Sequence, residues 1–293
     1  MRITAGMNQR HVLADLRRVQ ERLADARSRV SSGKQIEKPS DDPLGAERAV
    51  RLRSEIATTS AYGTAVDESR SWLDATDAAL SSINDIVQTA RELTVQAANG
   101  ATTPAARQSI KVQIDALTEQ LKTTLNGAYD GRYIFSGTAT DTPPYDLTSA
   151  TPDAYQGDSN PVVRQIGPGV SVQVNVTADD VLSGLLPALR AISDHLQNND
   201  ATALQTTDLQ ALDAGLDTVT TARSQVGAAT NRVDAAGRRL DDLHDVTEAF
   251  LSKTEDADLP QALTDLSAQQ NALTAALHGG ASLIQQSLMD FLR

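Results

Sequence analysis

The sequence contains no cysteine. Disulfides, thiolate metal sites and cysteine nucleophiles are therefore excluded. Aromatic residues are scarce: one Trp (Trp72), five Tyr and three Phe. Large rings usually carry much of the buried area of a globular core. Their scarcity points to thin helical bundles packed through Leu, Val, Ile and Ala. No apolar run is long enough to span a bilayer, so no membrane insertion is expected. No apolar stretch follows Arg2, so no secretory signal peptide is expected, and export would need another route. Basic side chains are also short: 26 Lys and Arg stand against 38 Asp and Glu, a net charge of −12. That balance argues against a nucleic-acid partner, which needs a basic face for phosphate.

What the chain does have is heptads. Val12, Leu16, Val19, Leu23, Ala26 and Val30 alternate at spacings of four and three, a coiled-coil seam. It stops at Ser31-Ser32-Gly33, with Gly33 as the residue after the helix. Asp42 as N-cap and Pro43 at the first helical position open a second helix. Its rows are Val66, Leu73, Leu80 and Val87, with Ile83 and Ala90, and Asn99-Gly100 ends it. Thr103-Pro104 starts a third, with Ile110, Ile114, Leu117, Leu121 and Leu125. After a break at 198–200 comes the longest row, Leu212, Val219, Val226, Val233 and Leu240, with Leu216, Leu243 and Phe250 expected to reinforce it.

Between 131 and 177 the texture changes to Gly, Pro, Asp, Thr and Ser. Short runs at Arg132–Phe135, Val162–Ile166 and Val170–Val176 read as strands. Gly167-Pro168-Gly169 reads as a hairpin turn. The expected fold is mainly α, an antiparallel bundle of long helices with a small β-rich insert. Residues 1–43 and 255–293 would form a terminal coiled-coil assembly domain. Residues 44–130 and 178–254 would form a helical rod, and 131–177 the outer insert.

The two ends carry opposite charge. Residues 1–34 hold eight basic and three acidic side chains; residues 255–293 hold five acidic ones and only Arg293. Pairing of the first helix with the last is expected, the basic face being matched by the acidic helix. The last helix carries Leu259, Leu263, Leu266, Leu273, Leu277, Ile284 and Leu288, more than one partner covers. Gln270 and Gly280 fall on the expected seam and weaken it. Two readings remain open: this end folds against neighbouring subunits, or it is the core of a compact monomer. Under the first, Leu16, Leu23, Leu263, Leu266, Leu277, Ile284 and Leu288 are the assembly-critical residues.

The block from Ser31 through Ser32, Gly33, Pro39, Ser40, Asp41, Asp42 and Pro43 to Ala46 resembles the hallmark that follows the first helix in the bacterial flagellin family. Gly131 to Thr138, with Asp141 to Tyr145, resembles the entry to that family's outer domain. Asp256 to Leu292 is similar to its C-terminal helix. The start Met1-Arg2-Ile3-Thr4, the Lys38–Pro43 stretch and the Ser287–Leu292 ending resemble the branch that joins hook to filament more than filament flagellin. The resemblance implies an extracellular structural protein of the flagellum, exported unfolded. Its implied partners are the first hook-associated protein, flagellin, further copies of itself, an export chaperone and the flagellar type III export apparatus. Alternatives are a filament flagellin and a cytoplasmic coiled-coil binding protein outside the flagellum.

Chemistry finds little foothold. No convergent acid, base and nucleophile emerges, so no enzyme, catalytic residue or cofactor is expected. Asp41-Asp42 reads as a capping pair rather than a metal site. His11, His195, His244 and His278 are far apart, with no zinc signature, and no metal is expected. Asn175-Val176-Thr177 fits a glycosylation triplet but falls in an expected strand. Trp72 is expected to pack in the core.

Overall fold

A computed structural model describes residues 5–147, 154–182 and 184–291, with the side chains of 5, 6, 8, 9 and 182 and those from 282 onward outside that description. The chain divides into two compact units: residues 59–243, and a terminal unit of residues 1–58 with 244–293. The helices are α1 (Ala5–Ser32), α2 (Pro43–Ala98), α3 (Pro104–Leu125), α4 (Ala178–Leu182), α5 (Leu185–Gln197), α6 (Ala201–Ala203), α7 (Leu209–Glu255) and α8 (Leu259–Phe291). A π-helical turn, Leu204–Asp208, runs directly from α6 into α7.

The local signals work as the sequence indicates. Gly33 takes a φ of +69° and its N–H bonds the Arg29 carbonyl at 3.0 Å, ending α1. Asp42 Oδ1 accepts from the Leu44 N–H at 3.1 Å, capping α2 just ahead of Pro43. Thr103 accepts from the Ala106 N–H at 3.2 Å with Pro104 behind it, opening α3.

In the 59–243 unit the heptad rows close into one core. Val66, Leu73, Leu80, Ile83, Val87 and Ala90 of α2 are buried, as are Ile110, Ile114, Leu121 and Leu125 of α3. Leu212, Val219, Val226, Val233 and Leu240 of α7 are buried too. Trp72 is buried, its ring edge-on to Tyr129 at 6.2 Å. Buried hydroxyls are satisfied within their own helices: Thr76, Thr94 and Thr118 each donate to the carbonyl four residues back. Arginine–aspartate pairs link α2 to α7 at the surface, including Arg91 to Asp213 at 2.6 Å and Arg223 to Asp77 at 3.0 Å.

One row departs from expectation. Leu243 and Phe250 do not reinforce the α7 seam; both are exposed. The seam continues every seventh residue from Leu240 to Thr247, which is buried, but the companion row of Ala222, Ala229 and Ala236 loses its cover before 243 and 250.

The strands are shorter than the alternating runs. β1 (Ala128–Tyr129) pairs antiparallel with β2 (Arg132–Tyr133), and β3 (Val163–Gly167) with β4 (Val170–Gln173). The β3–β4 turn is Pro168-Gly169, with Gly169 at φ +67°, where a type II turn needs a residue without a side chain. Phe135, Ile166, Val172 and Val174 bury into the same core as α5. Asn175 is buried as well. Its Oδ1 accepts from the Val162 N–H at 2.7 Å and its Nδ2 donates to the Asn160 carbonyl at 3.0 Å. The glycosylation triplet is therefore an internal tie.

Two side chains clasp this region. Asp158 accepts from the Thr138 N–H at 2.7 Å and from the Thr138 hydroxyl, which holds its carboxyl down at about 2. The Tyr155 hydroxyl shares its one proton between the Phe135 and Asp158 carbonyls, 2.9 and 2.8 Å away, and burial pushes its pKa up.

Candidate assembly interface

The terminal unit is built from α1, the 33–42 connector, the start of α2, the end of α7 and α8. Glu255 ties its connectors together. Its side chain is buried and meets Lys34 Nζ at 2.8 Å through one oxygen and Arg53 through the other. Its carbonyl accepts from the Gln35 N–H at 2.6 Å. Beside it Lys34 and Asp256 form an antiparallel bridge, and the Ala257 N–H bonds the Gly33 carbonyl at 2.8 Å. The chain thus passes out of α1 and into α8 as a short two-stranded crossing.

The hallmark block is the wall of this crossing. Asp41 Oδ2 accepts from the N–H groups of Lys38 and Glu37 at 2.9 and 3.1 Å, which holds its carboxyl below the usual range. Glu37 accepts from the Ser28 hydroxyl at 2.6 Å, and that bond lowers its carboxyl likewise. Asp42 caps α2. Ser32, Pro39, Ser40, Asp41, Asp42 and Pro43 are exposed, and Gly33 is half-buried. The two aspartates accept from backbone amides and so order the turn, Asp42 as the cap expected of it.

The α1 seam stands where the spacing places it. Val19, Leu23 and Ala26 are buried, and Val12, Leu16 and Val30 half-buried. On α8 a different row faces inward. Ala262 and Gly280 are buried, and Leu266, Gln269, Leu273 and Ala276 are partly covered, at spacings of four and three. A Cβ on Gly280 would stand 3.2 Å from Val12 Cγ1, so hydrogen in its place lets α1 approach. Gly280 is thus on the seam as expected; Gln269, not Gln270, is the polar interruption.

Of the seven assembly candidates, Leu16, Leu23 and Leu266 lie on the α1–α8 seam. Leu263 and Leu277 do not: each is 52% exposed, as Leu259 is at 48%. The side chains of Ile284 and Leu288 lie outside the described residues. A helix seam has room for one row, and the row taken here mixes Leu266, Gln269 and Leu273 with the small Ala262, Ala276 and Gly280, which permit close approach.

The charge expectation fails in detail. Among the described residues Arg17, Arg22, Arg27 and Arg29 make no ion pair with α8. Arg18 pairs with Asp15 on its own helix. Arg22 and Arg29 line a hollow with Asp265, yet the described bond of Asp265 is from Gln261 of its own helix, at 3.1 Å.

Two polar groupings escaped the sequence reading. His195 Nδ1 lies 2.8 Å from buried Asp208, tying the π turn to α5. Burial raises the Asp208 carboxyl above its usual range, against the opposing effect of His195. Glu248 stands one helical turn from His244, and with Asp245 their ligand atoms lie within 4.8 Å of one another. The i to i+4 spacing of His244 and Glu248 was the available signal. Among the described residues no helix is long and apolar enough to cross a membrane.

Comparison with known proteins finds one family in both helical parts of the chain. The model of the bacterial flagellin N-terminal helical region matches residues 3–140, and that of the C-terminal helical region matches residues 209–292. Flagellar hook-associated protein 3 of Escherichia coli strain K12 is 27% identical, over 88% of this chain and 90% of that protein. The protein of the same name from Salmonella typhimurium is 27% identical over 63% of this chain, but the match spans only 58% of its own length. Among solved structures, flagellar hook associated protein-3 of Legionella pneumophila superposes with a TM-score of 0.63, covering 69% of this chain and 97% of that one at 17% identity. That likeness is one of fold.

Proposed function

Because this chain belongs to the bacterial flagellin family, we propose that it is a structural joint of the flagellum, placed between hook and filament. The observation that carries the reading is the surface of the terminal unit. Leu259, Leu263 and Leu277 stand out on α8, while the row beneath them is already used on α1. Exposed apolar rows on a helix pair call for partners. The likeness to a hook-associated protein 3 supports the junction reading.

On this reading residues 1–43 and 255–293 are the assembly domain, 44–130 with 178–254 the rod, and 131–177 the outer insert. Leu263, Leu277, Ile284 and Leu288 meet neighbouring subunits, and Leu16, Leu23 and Leu266 hold the helix pair that presents them. The partners are the first hook-associated protein on one side and flagellin on the other, with further copies of the chain completing a ring. The protein reaches that place unfolded through the flagellar type III export apparatus, its terminal end guarded by a cytoplasmic chaperone. It works outside the cell, and its role is mechanical rather than catalytic.

The test is deletion in the source bacterium. Cells without the protein should keep their hooks and shed flagellin into the medium, and a labelled copy should return as a focus at the hook–filament boundary. Filaments that remain attached, or label spread along their length, would overturn the junction reading. Polymerisation of the purified chain into long filaments would favour flagellin instead.

A further inference from the structure

The terminal unit holds a groove as well as a ridge. The groove, of about 570 Å³, lies between the start of α2 and the end of α7. Its walls are Leu44, Leu52 and Phe250, with Arg48 and Lys253 beside them. Leu44 is 64% exposed and Phe250 55% exposed, so nothing among the described residues covers them. Arg48 and Lys253 have no ion pair among the described residues. Asp42, also in the wall, is occupied with the α2 cap.

The ridge is the outer edge of α8 at its start. Leu259 and Leu263 are one helical turn apart, on one face, and both exposed. Exposed Asp256 and Asp258 precede them, and residues 255–292 contain no Lys or Arg. Groove and ridge are opposite in charge and alike in apolar character. Neither covers the other within one chain, since Phe250 and Leu263 are both open to solvent.

We infer that the Leu259–Leu263 ridge of one copy seats in the Leu44–Leu52–Phe250 groove of a second copy, with Asp256 and Asp258 facing Arg48 and Lys253. This rests on the structural role proposed above and adds which surfaces join like to like. The mode is a helix laid into a groove by residues one turn apart. The two surfaces differ, so the contact is head-to-tail. Such contacts propagate into rings or open helices rather than closing as a two-fold dimer. The aspartates and cations set the register and disfavour ridge-to-ridge contact, because like charges would meet there.

The absence of native cysteine makes the test clean. Two full-length variants, Phe250→Cys and Leu263→Cys, carry different tags and are co-expressed in cells lacking the native copy. Flagella are isolated and oxidised. A disulfide-linked product carrying both tags is expected, absent when either variant is expressed alone. Linkage of Phe250→Cys to some other flagellar protein, or no cross-linked product from flagella that contain both variants, would overturn the second copy as occupant.

A charge exchange supplies the independent arm. Arg48→Glu/Lys253→Glu, and Asp256→Lys/Asp258→Asn, in which Asn keeps the helix cap, should each be lost from isolated flagella while retaining wild-type helix content. Co-expressed, they should be recovered together. Wild-type recovery of either one alone, or no rescue by the other, contradicts the pairing. Hook–filament attachment tells the two ideas apart. If attachment depends on the protein but the pairing fails, only this inference falls. If attachment does not need the protein, the junction reading falls, whatever the disulfides show.

Discussion

The two units of this chain use the same helical repeat to opposite ends. Residues 59–243 turn their rows inward: Leu73, Leu80, Ile83, Val87, Ile114, Leu121, Leu212, Val219 and Val233 are all essentially inaccessible to water. In the terminal unit the buried apolar residues, among those described, are Val19, Leu23, Ala26, Ala49 and Ala262, three of them alanines. The same unit leaves Met7, Leu13, Leu44, Val50, Val246, Phe250, Leu259, Leu263 and Leu277 exposed. One unit has finished its core within the monomer, and the other has its larger apolar side chains still to cover. Stability should follow the first, and assembly the second.

That contrast can be broken most sharply by truncation. Removing residues from Gly279 onward should abolish incorporation into flagella, measured by recovery in sheared flagella. The cooperative thermal transition of residues 59–243 should persist in circular dichroism. Loss of most of the helix signal would mean that the end of α8 is monomer core.

Point substitutions sharpen it. Leu80→Ala removes a fully buried side chain and should cost about 2–5 kcal/mol in urea unfolding. Leu263→Ala or Leu277→Ala should stay within about 0.5 kcal/mol in the free chain, as exposed substitutions do, and still reduce incorporation. Equal destabilisation by both kinds of substitution would erase the distinction.

A smaller effect belongs to the connector crossing. Glu255→Gln should loosen the Gln35 and Ala257 amides in hydrogen exchange and cost about 1 kcal/mol locally, since Lys34 and Arg53 are both partly in water. The melting of residues 59–243 should not move.

The smallest effect is the pH dependence that one carboxylate gives the larger unit. The Asp158 carboxyl is held at about 2 by bonds from Thr138, below its unfolded value. Its contribution is therefore fully present above the unfolded pKa of about 4 and lost as pH falls through about 2. Urea midpoints measured between those pH values should fall less steeply in Asp158→Asn than in the wild type.

How much of this was legible in the sequence follows the same division. The rows of α2, α3 and α7 could be read because each has one dominant apolar face, and that face is the buried one. The caps at Asp42, Thr103 and Gly33 were readable from residue type alone. On α8 the reading ran out, because leucines and alanines occupy several faces at once. Periodicity cannot say whether Leu263 or Ala262 turns inward; the approach of Val12 to Gly280 decides it. Net charge suggested pairing between α1 and α8, but it does not say which arginines form an ion pair with the other helix. The groove at Leu44 and Phe250 joins positions about 200 residues apart in sequence, and no local pattern announces it.

Hydrogen exchange on the full-length chain, free in solution and again in isolated flagella, tests the central claim most directly. The account predicts that amides of α1 and α8 exchange far faster than those around Leu80 and Val219 in the free chain, and become protected on assembly. Protection of α1 and α8 equal to that of residues 59–243 in the free chain would contradict it.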